Sequence, residues 1–265
     1  MIAGENGLTH GSVTMENVLI TGASSGIGAQ IVRLLATRGA RLGLVALEGN
    51  DLDRAAEGAR AAGAAAVHTY GLDVRDRAAM RGAVESFAKV AGAIDIFVGC
   101  AGVDIDAPLH DYDARRAEMN FEVNLVGLMY GANAAMECML GQGRGHIVGV
   151  GSLAGWRIFP MHADYSASKN AVDAYLESLR VRLRGTPIAV TTISPGFVRT
   201  PMTASSKYKV PLPWSAEQAA ARIMRGIDRR EEHVAFPWPV AAGVRILRAL
   251  PEPLWRLALR LAPKE

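Results

Sequence analysis

Short apolar runs alternate with longer amphipathic stretches along most of the chain. The runs with strand character read NVLIT, RLGLVAL, AVHTY, IDIFVG, HIVGVG, IAVTTIS and HVAF. Between them, apolar residues recur at helical spacing over roughly 26–38, 51–62, 76–91, 113–140, 164–184 and 216–228. Strands without polar alternation, each followed by a helix, are typical of a parallel sheet that is covered on both faces. With right-handed crossovers, the pattern predicts an α/β fold with one doubly wound parallel sheet of about seven strands.

The length and composition predict one globular domain with short additions at both ends. Half of the 265 residues are apolar and 21% are charged, and we see no linker, low-complexity block or repeat. We divide the chain into a flexible leader at 1–15, a domain at 16–235 and a helical, amphipathic C-terminal extension at 236–265.

Charge and cysteine content exclude several classes of protein. The net charge is only +3 and no basic run is interleaved with aromatic residues, so we expect no nucleic-acid partner. Cys100 and Cys138 are far apart and lack metal-ligand spacing, so we expect reduced, buried thiols and no metal site. The N-terminal stretch lacks the features of a signal peptide, which predicts a cytoplasmic protein.

The first predicted strand runs into the glycine-rich turn TGASSGIG at 21–28. Glycine lets a backbone turn tightly and approach a phosphate, and the following helix offers free N–H groups. A plain strand-to-helix turn is the alternative. Its place in the first strand–helix unit of a Rossmann-type pattern favours dinucleotide binding.

Four later positions carry candidate chemistry, and three of them follow predicted strands. Asp73 can accept from an adenine amino group or cap the next helix. The small-residue turn GCAG at 99–102 either packs against a flat ring or only turns the chain. Asn124, in an apolar helical stretch, needs a polar partner, and Ser152 is either a turn residue or a hydrogen-bond donor.

The segment YSASK places Tyr165 and Lys169 one helical turn apart on the same face. A cation beside a phenol favours the phenolate, so the pair is either a tuned acid/base or an ordinary pair of surface neighbours.

In this order, TGASSGIG, GCAG, NLVG, a serine thirteen residues before YSASK, and PGFVRT resemble the short-chain dehydrogenase/reductase (SDR) family over about 16–235. The resemblance implies an NAD(P)-dependent oxidoreductase that interconverts a secondary alcohol and a ketone. It implies Tyr165 as acid/base, Lys169 as the group that lowers the tyrosine pKa and holds the nicotinamide ribose, Ser152 as donor to the substrate oxygen and Asn124 as support for a proton-relay water. It also implies cofactor contacts at Gly22, Ser24, Ser25, Gly26, Ile27, Gly28, Glu48, Asp73, Val74, Ala101, Gly102, Tyr165, Lys169, Pro195, Gly196, Val198 and Thr200.

Two departures from the family pattern affect the cofactor site. Gly99-Cys100 replaces the usual pair of asparagines, which we expect to be tolerated. After the second strand, Ala46 and Leu47 occupy the positions at which the family reads the adenosine ribose. Glu48 lies one residue later and can accept from ribose hydroxyls, and no basic residue is placed for a 2′-phosphate. We therefore predict NAD rather than NADP.

A mobile lid over about 197–215 follows PGFVRT and lacks periodicity. The predicted pocket is largely apolar, so we expect a hydrophobic alcohol or ketone, although several of its side chains can instead pack the lid onto the fold. Its residues are Phe159, Met161, Met202, Tyr208, Val210, Leu212 and Trp214.

The C-terminal extension carries the whole net charge, with five cations and two anions from residue 240 onward. Arg256, Arg260 and Lys264 form a basic stripe at i, i+4 and i+8, while Pro251 and Pro253 interrupt the apolar run. The extension either docks on its own fold or a neighbouring subunit, or makes peripheral membrane contact. The family resemblance adds a homodimer or homotetramer paired through the helices near 113–140 and 164–184. A non-catalytic cofactor-binding sensor or scaffold is the alternative function.

Overall fold

The computed structural model describes residues 16–105, 113–156, 163–204 and 212–260. The strands are β1 (Asn17–Thr21), β2 (Arg41–Ala46), β3 (Ala66–Gly71), β4 (Ile96–Gly99), β5 (Gly145–Val150), β6 (Ile188–Pro195), β7 (Val198–Arg199), β8 (Trp214–Ser215) and β9 (His233–Phe236). The α-helices are α1 (Gly26–Ala36), α2 (Asn50–Ala61), α3 (Arg77–Ala91), α4 (Ala114–Phe121), α5 (Leu128–Gln142), α6 (Ala163–Arg182), α7 (Ala216–Asp228), α8 (Trp238–Ala249) and α9 (Glu252–Arg260).

Seven of these strands form one parallel sheet in the order β3-β2-β1-β4-β5-β6-β9. The order reverses direction between β1 and β4, which is the switch point at which such sheets bind ligands beyond their carboxyl ends. One apolar cluster packs α1, α2 and α7 on one face, and a second packs α3, α5 and α6 on the other. The predicted Rossmann-type, doubly wound sheet is therefore confirmed.

The long helix predicted near 113–140 is present as two helices joined by a π-helical segment, Glu122–Gly127. This segment contains Asn124, and π-helical turns interrupt regular α-helices, often at functional sites. At the end of the segment, Gly127 packs closely against Val74, and a side chain at that position would meet the Val74 side chain at 2.7 Å.

The C-terminal extension is helical, and α8 docks on its own fold. Ala241 and Val244 of α8 are buried against Leu153 and Trp156, in the turn that follows β5. This contact confirms the docking alternative for α8. Arg256 of α9 pairs with Glu252 at 3.1 Å, whereas Lys264 and the leader at 1–15 lie outside the described residues.

Both cysteines are free but only partly buried, so the prediction of buried thiols is wrong in that respect. Cys100 lies at the carboxyl end of the sheet, where strand ends open toward solvent. Cys138 lies on α5, where its helix face is only partly covered.

Candidate active site

The carboxyl ends of β1, β4, β5 and β6 surround a cavity of about 150 Å³. Its walls are Gly22, Ser25, Gly26, Ile27, Gly28, Cys100, Ala101, Gly102, Val150, Gly151, Ser152, Tyr165, Lys169, Pro195, Gly196, Val198, Thr200, Pro201, Met202 and Thr203. The structure thus brings the predicted glycine-rich turn, the catalytic candidates and the PGFVRT segment to one place.

The turn between β1 and α1 is shaped by glycines that leave no room for side chains. Gly22 adopts φ +67°, and a Cβ there would lie 2.8 Å from the Ala101 backbone. A Cβ at Gly28 would clash with the Gly22 carbonyl oxygen. The Thr21 hydroxyl accepts from the amides of Cys100 (3.1 Å) and Ala101, which ties this turn to the one after β4.

The glycine-rich turn at 21–28 and the start of α1 form a cradle that fits a dinucleotide. The first turn of α1 contains no acidic residue, and the Ser25 side chain does not cap the helix. The positive dipole end of α1, which no side chain caps, therefore suits a pyrophosphate, and the bare glycine backbone lets it approach closely.

Ser152, Tyr165 and Lys169 meet on the opposite wall. The Ser152 hydroxyl interacts with the Tyr165 phenol by a side-chain hydrogen bond and accepts from the Ala154 amide at 3.1 Å. Lys169 is only 4% exposed; its Nζ lies 5.8 Å from the Tyr165 ring centroid and donates to the Val150 carbonyl at 2.9 Å. This arrangement places a phenol, a hydroxyl and an ammonium around one small volume.

Burial is the largest influence on the pKa values of Tyr165 and Lys169. It raises the pKa of Tyr165 to about 12, although the hydrogen bond with Ser152 acts in the opposite direction. It also lowers the pKa of Lys169 to about 8. The expected lowering of the tyrosine pKa concerns the cofactor-bound enzyme and stays a prediction; in the protein alone, the cost of burying a phenolate exceeds the help from Ser152.

Asn124 is buried beside the site and does not line the cavity, but its side chain links two of the surrounding segments. Its Oδ1 accepts from the Val103 amide at 2.8 Å, and its Nδ2 donates to the Val103 carbonyl and to the Ser168 hydroxyl. Ser168 in turn donates to the Tyr165 carbonyl at 2.7 Å. The predicted need for partners is confirmed, and those partners connect the loop after β4 to the helix that carries Tyr165.

The predicted adenosine-side residues lie apart from the cavity walls. Glu48 is exposed and rests against Gly71, and Val74 is buried. Asp73 accepts from the Arg75 guanidinium at 2.7 Å, and these hydrogen bonds lower its pKa. Asp76, not Asp73, caps α3 by accepting from two backbone amides, so the capping alternative for Asp73 is wrong. Ser24 also does not contribute to the walls.

The predicted substrate residues divide into three groups. Met202 lines the cavity and is 43% exposed. Trp214 instead stacks on Phe236 at 5.0 Å between ring centroids, and Leu212 is exposed, which supports the lid-packing alternative for Trp214. The remaining residues, Phe159, Met161, Tyr208 and Val210, lie outside the described residues.

Sequence reasoning missed the part that Cys100 plays in the wall. Although the residue as a whole is only partly buried, desolvation of its thiol in the site raises the thiol pKa to about 11. Its position directly after β4 was the available signal, because the end of β4 is one of the four strand ends that surround the cavity. Pro201 and Thr203 also enter the wall, and Thr203 accepts from the Thr200 amide at 3.0 Å.

Neither a metal site nor a membrane-spanning helix occurs within the described ranges. No group of three His, Cys, Asp or Glu residues there is arranged to hold a metal ion. No helix of these ranges is long and apolar enough to cross a membrane.

Comparison with known proteins identifies the class. The short chain dehydrogenase family model matches residues 16–210. An uncharacterized oxidoreductase of Myxococcus xanthus is 36% identical over 94% of this chain and 98% of its own length. The chain belongs to the short-chain dehydrogenase family. It is an NAD(P)-dependent oxidoreductase.

Two solved structures resemble the chain over nearly its full length. A short chain dehydrogenase/reductase from Burkholderia phymatum in complex with NAD is 25% identical, with a TM-score of 0.79 over 95% of this chain and 97% of that one. A short-chain dehydrogenase from Sphingobium yanoikuyae in complex with NADPH is 27% identical, with a TM-score of 0.77 over 90% and 97%. Together they support a nicotinamide dinucleotide cofactor and leave its phosphorylation state open.

Proposed function

We propose that this enzyme interconverts a hydrophobic ketone and its secondary alcohol, with Tyr165 as the acid/base. The observation that supports this proposal is the meeting of Ser152, Tyr165 and Lys169 in a buried cavity beside the glycine cradle. A protein that only binds a dinucleotide has no need of the serine–tyrosine pair. The apolar side chain of Met202 at the cavity mouth supports a hydrophobic substrate.

When bound, the nicotinamide cofactor supplies the hydride donor or acceptor. Tyr165 keeps its proton at neutral pH because burial raises its pKa, so it is prepared to donate that proton to a carbonyl oxygen during reduction. Ser152 donates a hydrogen bond to the same oxygen and stabilises its developing negative charge. Lys169 holds the nicotinamide ribose and lowers the cost of the phenolate that remains. Asn124 joins the loop after β4 to α6, the helix that carries Tyr165. We also propose that it supports a proton-relay water.

The test is turnover of a panel of aliphatic and aromatic ketones with NADH and NADPH. Tyr165→Phe should lower kcat by about 10²–10⁴-fold while cofactor affinity stays close to that of the wild type. Tyr175→Phe makes the same change further along α6, where the buried hydroxyl has no described partner, and should leave kcat unchanged. Full activity of Tyr165→Phe would assign the acid/base elsewhere. A wild type that binds cofactor but turns over no substrate would favour the sensor or scaffold alternative.

We propose NAD as the preferred cofactor. Glu48 follows β2 at the edge where the ribose is read, and a carboxylate there attracts ribose hydroxyls and repels a 2′-phosphate. Titration with NADH and NADPH, followed by quenching of tryptophan fluorescence, tests this assignment. Tighter binding of NADPH would overturn it.

We also propose peripheral membrane contact by the C-terminal extension of a cytoplasmic homodimer or homotetramer. Trp238 is 76% exposed at the start of α8, and the exposed Arg245, Ile246 and Arg248 lie further along the same helix. Aromatic and cationic side chains together suit an anionic lipid surface. Co-sedimentation with phosphatidylserine vesicles should fall when residues 238–265, which include these four side chains, are removed, and equal binding by both proteins would reject the proposal. Sedimentation velocity measures the assembly.

A further inference from the structure

Asp173 lies on α6, one turn beyond Lys169 and two turns beyond Tyr165. Its Oδ1 is fully buried and has no hydrogen-bond partner within the described part of the chain. A Cβ at Gly151 would clash with this oxygen, so the carboxylate rests against the backbone directly before Ser152. A buried carboxylate oxygen that lacks a hydrogen bond is costly, so its retention requires an explanation.

The other side of Asp173 faces a charged cleft. Its carboxylate accepts a side-chain hydrogen bond from Trp156, over whose ring the Arg245 guanidinium lies at 4.9 Å. The cleft has a volume of about 340 Å³ and separates α6 from α8. The titratable and charged groups that line it beside Asp173 are Glu177 on α6, His233 on β9, and Arg245 and Arg248 on α8.

Lys169 reaches the same stretch of backbone as Asp173, because its Nζ donates to the carbonyl of Val150, the residue before Gly151, at 2.9 Å. Burial raises the pKa of Asp173 to about 7, and the charges of Lys169 and Arg248 act against that rise. Burial lowers the pKa of Lys169, and the charges of Cys100, Asp173 and Asp104 raise it. The Cys100 thiol is protonated near neutral pH because its pKa is about 11, so it carries no charge there, whereas Asp173 is ionised above about pH 7.

We propose that Asp173 is a positioning residue, the buried counter-charge that keeps Lys169 protonated and directed at the cofactor side of the cavity. The attraction of the two groups stabilises the ammonium in a site where water does not. Gly151 makes this arrangement possible, because any side chain at that position would displace the carboxylate. The inference rests on the proposed role of Lys169 in catalysis.

The charge of Lys169 can be measured without turnover. The chain contains only five lysines, at 89, 169, 207, 209 and 264, so ¹³Cε-lysine labelling gives a spectrum with few signals. Loss of a signal in Lys169→Met assigns the residue. In wild type the Lys169 signal should titrate near pH 8, and in Asp173→Asn it should titrate at a pH roughly one unit lower, because the attraction is gone.

Two further variants separate a charge effect from a packing effect. Asp173→Glu should restore part of the wild-type titration, whereas Glu177→Gln, which removes the same charge one turn further along α6, should move it little. Coupling between two sites is reciprocal, so Lys169→Met should make the Asp173 carboxyl titrate at a higher pH. If Asp173→Asn does not fold, the Asp173 titration in Lys169→Met tests the same interaction.

An unchanged Lys169 titration in Asp173→Asn, or an unchanged Asp173 titration in Lys169→Met, would overturn the inference. These outcomes are independent of the proposed function, whose failure would appear as absent ketone turnover with normal lysine titration. In an active enzyme, Asp173→Asn should also move the alkaline limb of the kcat–pH profile for ketone reduction to lower pH, by the same interval as the lysine titration.

Discussion

The two ends of the proposed cofactor site differ in how the protein treats charge. At the catalytic end, Ser152 and Lys169 are buried and Tyr165 is partly buried, and desolvation displaces the pKa values of Tyr165 and Lys169. At the adenosine end, Glu48 is exposed and Asp73 is committed to a surface pair with Arg75. Buried groups interact strongly and surface pairs weakly. The comparison indicates that chemistry depends on the first end, and that the second only adjusts cofactor choice.

The largest change in stability is predicted at Gly28, in the tightly packed turn between β1 and α1. Gly58 on α2, where a side chain has open space, provides the comparison. Gly28→Ala places a methyl group against the Gly22 carbonyl and should destabilise the fold by about 3 kcal/mol. It should also weaken NADH binding more than tenfold, because α1 must move away from the turn. Gly58→Ala on α2 meets no atom within 4 Å and should stabilise the fold by about 0.5–1 kcal/mol. Urea unfolding and NADH titration measure both variants, and equal effects would contradict the contrast.

The next prediction tests burial at the catalytic end through pH. The folded pKa of Lys169, about 8, is below its ordinary value of 10.5, so between these values the unfolded chain binds more protons than the folded one. The free energy of unfolding contributed by Lys169 therefore rises with pH across this window, by about 2 kcal/mol between pH 8 and 10.

Subtracting the pH profile of Lys169→Met from that of wild type isolates this contribution, since the other titrating groups remain. Lys89→Met on α3 is the matched control, because Lys89 is exposed, and it should leave the pH slope unchanged. Parallel slopes for wild type and Lys169→Met in urea unfolding would mean that water reaches Lys169.

The pattern of the sequence predicted the sheet and the position of the site for the same physical reason. Apolar runs report strands buried on both faces, and parallel strands bring their carboxyl ends to one edge. Ser152 and Tyr165 are thirteen residues apart in the chain, yet they meet because one ends β5 and the other begins α6. The ordered motifs therefore located the cavity.

Properties that arise from packing could not be predicted in this way. The direction of the tyrosine pKa change depends on how deeply the phenol is buried, which residue spacing does not report. The contact between Asp173 and Gly151 joins α6 to the end of β5, and no local pattern signals it. The link formed by Asn124 similarly depends on a π-helical segment that propensity does not foresee.

A smaller effect is expected at the exposed end, where Glu48→Gln removes a charge beside the ribose position. NADH binding should weaken by about two- to fivefold, because an exposed ionic contact contributes under 1 kcal/mol. NADPH binding should improve, since less negative charge opposes its 2′-phosphate. Glu57→Gln on α2 makes the same exposed substitution away from the strand ends and should change neither affinity. A loss as large as that of Gly28→Ala would show that the adenosine end is less solvated than its exposure indicates.

Asp73→Asn should have the smallest effect of the series. Three hydrogen bonds from Arg75, through its amide and its guanidinium, already occupy the Asp73 carboxylate, and Arg75 also pairs with Glu122 at 3.2 Å. An asparagine oxygen can accept part of this set, and Glu122 can take the freed guanidinium. NADH affinity should therefore change by about twofold or less. A change above tenfold in the NADH titration would mean that Asp73 leaves Arg75 to bind the adenine, so that the adenosine end rearranges on binding while the catalytic end does not.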